Sequence, residues 1–402
     1  MGGCFTSPLI RVLQIWSGAR SMKKKLIFVN ATEEPFTPTC GGAIATWIWE
    51  MCRAAEGLGL EPWVATGRSL ADHYPWVRTV EIGRASAFPV GGLALSASKK
   101  RVSEDRKQLA GKKWSGDLLG MIRQRQWQRG TFVFHNAPET VAALRPRLPE
   151  ARLIHLFHNA KPCSPQLRER FASSVDVAVA VSAHCARWNE SYFGCAIHTL
   201  RNGVDLKRFV PLPKTQNQRP LIGFVGHTVR DKGPDLLLRA ALNLAEGFNG
   251  FDIQLLGARI SGGAQNDPYH ETLETLIGRL EKRGVSVDRP GFVNRFAMPR
   301  LLARADIHVV PSRWEDPCPL TVLEGMATGQ ATVAASCGGI PEIVGGAGFV
   351  FERDDVAGLE ARLRVLLQNE ELRRAYGRRA RERAEQRPWS LVFQELLEII
   401  NF

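Results

Sequence analysis

Short apolar runs recur along this chain, each followed by a segment long enough for a helix. That alternation constrains the fold more than any other feature. LIFVN (26–30), a run around Pro62–Thr66, TFVFHN (131–136), RLIHLFHN (152–159) and VDVAVAVS (175–182) form a first series, closed by IHTLRNGVD (197–205). Runs this short and this apolar read as buried strands of a parallel sheet, with the segments between them crossing back as helices. Gly41-Gly42 opens the first long helical stretch, from Ala43 to roughly Leu58. A polar, Pro-rich stretch at 209–219 reads as a linker. A second series follows in LIGFVGH (221–227), the helix DLLLRAALNL, FDIQLLG (251–257), SVDRPGFV (286–293) and ADIHVVPS (305–312). The expected fold class is therefore α/β, with two Rossmann-like doubly wound parallel-sheet domains at 22–208 and 220–386. They face a cleft, where ligands meet the carboxyl ends of the strands.

Charge narrows the partners. With 53 basic and 40 acidic residues the chain carries +13, which points to an anionic partner such as a nucleotide or a membrane surface. Nucleic acid is disfavoured, because no zinc-ligand spacing, RNP-like or helix-turn-helix signature accompanies the charge. The eight cysteines are scattered and form no C-x-x-C pair, as expected of reduced thiols in a cytoplasmic protein. No apolar run reaches the ~18 residues of a spanning helix. Residues 1–21 lack a clustered basic start and are interrupted by Arg11 and Gln14, so they read as a leader or a mis-called start outside the fold.

The chemistry concentrates in Pro311–Val344, PSRWEDPCPLTVLEGMATGQATVAASCGGIPEIV. Asp316 and Glu324 stand eight residues apart, across the join between a loop and a helix. The backbone N–H groups at such a helix start suit a phosphate, and the two carboxylates suit sugar hydroxyls. Taken alone, a capped helix in a βα unit would look the same. Cys318 in that loop reads as a small loop residue in preference to a nucleophile. A second basic loop, F-V-G-H-T-V-R-D-K-G (224–233), opens the second series. The stretches VSAHCARWNE (181–190) and RNGVDLKRF (201–209) close the first.

In this order, from about Lys25 to Phe402, the motifs resemble the retaining GT-B glycosyltransferases of family 4, the glycosyl transferases group 1. The likeness is to the type that builds bacterial cell-surface polysaccharide and lipopolysaccharide. The resemblance implies that Asp316 holds donor-sugar hydroxyls and Glu324 the ribose. The backbone at Pro319, Leu320 and Thr321 would meet the diphosphate, and Val293 the base. Gly226, Arg230 and Lys232 would hold the diphosphate. His227 stands where the family usually has Arg, a departure that Arg230 would compensate, and Asp316 stands for the usual Glu. Gly42 would lie near the donor diphosphate and the acceptor. His158 would contact the reacting sugar through positioning and a hydrogen bond, with His135 shaping the acceptor side. Asn202-Gly203 carries no implied chemistry. The final segment, 387–402, would cross back onto the first domain.

The implied activity is retaining transfer of a hexose from a nucleotide sugar, UDP-linked, to a glycan or lipid-linked acceptor by front-face displacement. No cofactor and no metal are expected. The basic segment Ser96–Gly130, with Lys99, Lys100, Lys112, Lys113, Trp114 and Trp127, would attract an anionic bilayer and hold the protein on the cytoplasmic face of a membrane. Two rivals remain, a weakened relative that binds nucleotide sugar without transfer and a GT-B nucleotide-sugar epimerase. A dehydrogenase is disfavoured, since no strand leads into G-x-G-x-x-G.

Overall fold

A computed structural model describes residues 25–31, 34–39, 42–69, 71–83, 104–213, 219–258 and 267–402, apart from the side chains of 104–112. The leader, Gly41, Lys99, Lys100, the Lys112 side chain and part of the linker lie outside the described residues.

The first half comprises β1 (Leu26–Val29), α1 (Ala43–Glu56), β2 (Trp63–Gly67), β3 (Arg78–Ile82), α2 (Glu104–Gln124), β4 (Thr131–His135), α3 (Pro138–Leu144), β5 (Arg152–Phe157), α4 (Pro165–Ala172), β6 (Val177–Ala180), α5 (Ala183–Phe193) and β7 (His198–Thr199). The second holds β8 (Leu221–Val225), α6 (Pro234–Leu244), β9 (Asp252–Leu256), α7 (Pro268–Glu281), β10 (Val287–Gly291), α8 (Met298–Leu302), β11 (Ile307–Val310), α9 (Leu320–Ala327), β12 (Ala331–Ala335), α10 (Ile340–Val344), β13 (Phe349–Phe351), α11 (Val356–Gln368), α12 (Glu370–Glu385) and α13 (Trp389–Ile399).

The sheets run β3-β2-β1-β4-β5-β6-β7 and β10-β9-β8-β11-β12-β13, and every pairing within them is parallel. The two-domain parallel α/β architecture expected from the alternation is the one observed. Central strands such as β1, β4, β11 and β12 are buried along their whole length, which is why their sequences are continuously apolar and do not alternate. Local sequence fixes the helix starts. Ser164, Ser182, Asp355 and Asn369 cap α4, α5, α11 and α12 through their side chains. Strand β3 escaped the sequence reading, since its residues are mostly half-exposed at the sheet edge and carry no apolar run.

In each sheet the strand order reverses between the first strand and its later neighbour, β1/β4 and β8/β11. This makes a crevice at the carboxyl ends. The last helix, α13, leaves the second domain and packs on α1, with the Trp389 and Trp47 rings edge to face at 6.3 Å. Other links tie the halves together. Asn202 Nδ2 donates to the Cys318 carbonyl at 2.8 Å, and the Glu342 carboxylate accepts from the N–H groups of Ala183 (3.0 Å) and His184 (2.7 Å) at the start of α5.

Candidate functional site

The second-domain crevice is assembled by two loops. The turn after β8 ends in a short 3-10 segment, Arg230–Lys232, and Gly233 at φ +69°. A Cβ at Gly233 would stand 1.9 Å from the Pro311 carbonyl oxygen, so only glycine lets this turn lie against the strand end of β11. The Asp231 carbonyl accepts from the N–H groups of Arg313 (2.8 Å) and Trp314 (3.1 Å) and binds the two loops together. Lys232 and Asp316, 84 residues apart, meet as a result, with Nζ 2.5 Å from Oδ2. The Lys232 side chain stays one-third exposed and Asp316 is nearly covered. Gly338 and Gly339 back the carboxylate loop, and the Gly339 N–H donates to the Asp316 carbonyl at 2.9 Å.

Helix α9 begins beside this pair. Its N-cap, Pro319, has no capping side chain, so the N–H groups of Leu320 and Thr321 at its first turn are left by the protein's own side chains for another acceptor. Arg230 is exposed on the 3-10 segment that carries Lys232. His227 has an exposed edge, yet desolvation and the nearby Lys232 lower its imidazole below the usual value, only partly opposed by a backbone hydrogen bond to Ala258. In the free protein this disfavours the charged imidazole, so His227 is a weaker cation than the Arg it replaces. Val293 lies half-buried just past β10, flanked by the exposed rings of Phe292 and Phe296, and Trp314 is exposed on the carboxylate loop. Gly226 follows β8 directly. Cys318 is buried and its thiol is pushed up to about 12 by burial, which suits a packing residue.

Glu324 sits differently from the other motif residues. It is buried on α9, and Arg295 Nη2 holds its Oε1 at 2.5 Å. Arg295 also approaches Glu50 of α1, 3.9 Å away, and Glu50 is contacted by Arg208 (3.4 Å) and Arg53 (3.3 Å). Arg53 in turn pairs with Asp205 at 2.6 Å. Burial raises the Glu50 carboxyl to about 7, with Arg295 the largest opposing influence. This network between the domains was missed in the sequence. Its members are isolated charges in unrelated segments, and no spacing connects them.

On the first domain, His135 and His158 end β4 and lie just past β5, respectively. His135 Nδ1 and His158 Nε2 are 2.8 Å apart, and the Trp47 ring packs edge-on against both. The His158 N–H donates to Asn136 Oδ1 at 2.8 Å. Burial lowers His158 to about 3 and drives His135 well below its usual value, so both imidazoles are neutral. The arrangement suits hydrogen bonding to a sugar more than protonation of one. His155 is a core residue whose Nε2 accepts from the Ala137 N–H at 3.0 Å.

The helix start after Gly42 is occupied by the chain itself. Glu34 Oε1 accepts from the Ala45 N–H at 2.7 Å, and a Cβ at Gly42 would collide with that carboxylate at 1.7 Å. Gly42 thus makes room for Glu34, and a phosphate reaching this turn has to displace it. Burial raises the Glu34 carboxyl from 4.5 to about 7, against the pull of the Ala45 and Ile44 N–H groups. The folded state therefore holds this proton more tightly than the unfolded chain. Its contribution to stability is fully present below pH 4.5 and is lost as the pH rises through 7. Against Glu34→Gln, the wild type should lose on the order of 2–3 kcal/mol of relative stability between pH 4.5 and 7.5. Urea melts of both proteins at each pH measure it, and a pH-independent difference would mean that Glu34 is solvated.

Of the segment expected to face a membrane, Lys113 is exposed, Trp127 is buried and packs on Trp63 with ring centroids 5.2 Å apart, and Trp114 is half-buried against the core. These two rings serve the fold and do not face outward. No helix among the described residues is long and apolar enough to cross a membrane.

Residues 210–383 match the family model described as glycosyl transferases group 1. That match takes in most of the second domain and both loops of the crevice. The chain as a whole has the GT-B fold, two Rossmann-like parallel-sheet domains, shared with solved structures. HepE from Anabaena, solved in complex with UDP-glucose, superposes with a TM-score of 0.67 over 94% of this chain and 99% of that one, at 18% identity. Among curated relatives, spore coat protein SA of Bacillus subtilis is 27% identical over 289 residues, 66% of this chain and 76% of that protein. Alpha-maltose-1-phosphate synthase of Mycolicibacterium smegmatis is 30% identical over 229 residues, 50% of this chain and 56% of that protein.

Proposed function

We propose that this protein is a retaining hexosyltransferase that takes its sugar from a UDP-linked donor and delivers it to a glycan or lipid-linked acceptor in surface polysaccharide synthesis. The observation that carries the reading is the convergence of Lys232, Asp316 and the uncapped start of α9 at the β8/β11 switch point, within the region that the family model matches. In this reading Lys232 and Arg230 face the donor diphosphate together with the N–H groups of Leu320 and Thr321. Lys232 has three N–H donors, so it can keep Asp316 in place while meeting a phosphate oxygen. Asp316 then has one oxygen for donor-sugar hydroxyls. Negative charge grows on the leaving phosphate, and these fixed donors stabilise it without a metal. The leaving phosphate takes the acceptor hydroxyl proton on the same face, which keeps the anomeric configuration. His158 hydrogen-bonds the transferred sugar, and His135 fixes the ring of His158. The UDP-glucose held by HepE supports the choice of donor.

Donor turnover tests the reading. Hydrolysis or transfer measured across UDP-, GDP- and ADP-sugars should favour a UDP-sugar, give a product of unchanged anomeric configuration, and survive EDTA. Inversion of the product, or loss of activity restored by a divalent cation, would overturn the corresponding part. A binding-only protein is the second reading, favoured by the burial of Glu324 under Arg295 and by His227 and Asp316 standing where the family usually has Arg and Glu. It is selected if a nucleotide sugar raises the melting temperature and is never consumed. We also propose peripheral attachment to the inner face of the cytoplasmic membrane through charge alone, since Trp114 and Trp127 point inward. Co-sedimentation with anionic vesicles that fails to weaken with salt would exclude it.

A further inference from the structure

We propose that Arg295 is a positioning residue that passes between Glu324 of the donor site and Glu50 of the first domain, so that donor binding draws the domains together. The inference rests on the donor-site reading given above. Arg295 has two carboxylates within reach, one on each domain, at 2.5 Å (Glu324) and 3.9 Å (Glu50). Both carboxylates are buried, and the Arg295 Nε–H has no hydrogen-bond partner among the described residues. The guanidinium therefore has spare donors and a second place to go.

Three carboxylates (Glu50, Asp205, Glu324) and three guanidiniums (Arg53, Arg208, Arg295) make up the network, and a closer Arg295 would favour the ionised form of Glu50. A ribose hydroxyl that takes Glu324 Oε1 competes with Arg295 Nη2 for the same lone pairs. A buried guanidinium cannot be left unpaired without a large penalty, and the other carboxylate needs an approach of only about 1 Å to reach bonding distance. Glu50 sits on α1, and the loop carrying Arg295 already touches that helix through Phe296, whose ring lies edge-on to Trp49 at 5.9 Å. Arg208 buttresses the contact, lying over both the Trp49 and Phe296 rings and donating to the Arg295 carbonyl at 2.8 Å. Shortening the Arg295–Glu50 pair therefore moves α1 toward the second domain, the sense of motion that closes a cleft between two domains.

Peptide-resolved hydrogen exchange of the full chain tests this, with saturating UDP and parallel arms containing GDP and ADP. The expected result is slowing at 320–327, and also at 47–53 of α1, by at least about threefold. Glu50→Gln, which keeps the shape of the side chain, should retain the slowing at 320–327 and lose that at 47–53. Unchanged exchange at 47–53 in the wild type, or slowing there that persists in Glu50→Gln, would overturn the proposal while leaving the donor site standing. No slowing at 320–327 with any of the three nucleotides would remove the donor-site reading, and the role of Arg295 with it.

Discussion

Lys232→Ala should lower kcat by at least about a hundredfold in a protein that still folds, the loss expected when a charge used in the transition state is removed. The Lys232 side chain is one-third exposed but its partner Asp316 is nearly covered, so the melting temperature should fall moderately and kcat is compared at a temperature where both proteins are folded. Arg230→Ala and His227→Ala belong in the same series. An imidazole is a weaker cation than a guanidinium, so the loss of His227 should matter less than that of Arg230, and the ratio of the two effects identifies which residue fills the missing Arg role. Turnover by folded Lys232→Ala equal to wild type would take Lys232 out of the mechanism and leave it as a structural counter-ion for Asp316.

Glu324→Gln should have two effects that report on different partners. Weakening of UDP binding by about 1.5–3 kcal/mol follows if the carboxylate accepts from ribose hydroxyls, since a charge-assisted hydrogen bond is lost. Stability should fall as well, because Arg295 is left buried without its short partner. Breaking a buried pair costs about 3–5 kcal/mol, and the nearby Glu50 should reduce that figure. Calorimetric titration with UDP and urea melts separate the two. A stability loss with UDP affinity unchanged would make Glu324 a counter-ion between the domains and not a ligand for the donor.

Much of the fold was legible because parallel strands buried on both faces advertise themselves as apolar runs, as β4 and β11 do. Edge strands such as β3 do not, and β13, three residues long, offers too little pattern to read. In the site, the proximity of Lys232 and Asp316 was implied only by a family likeness, because nothing in a linear spacing of 84 residues encodes it. Their mutual ion pair was not foreseen at all. The Gly42 turn looked like an open anion seat, since glycine before a helix is compatible with a ligand. The same glycine is equally compatible with an internal carboxylate, and Glu34 is the group found there. Local sequence specifies backbone freedom without specifying what fills the space. The Glu50–Arg295–Glu324 network lay beyond reach for another reason. Each of its charges has an ordinary solvated alternative, and only the docking of two domains removes it.

The packing of α13 on α1 sets an order on synthesis. The face of α1 that carries Trp47 is covered by the ring of Trp389, and Val392, Phe393 and Leu396 of the same helix are buried. A nascent chain that has emerged only as far as residue 386 already holds every strand of both sheets, yet α1 still lacks that cover. Although it is made first, the amino-terminal domain can be sealed only after α13 has left the ribosome. During that interval its uncovered apolar face is open to chaperones and to mispairing with other chains.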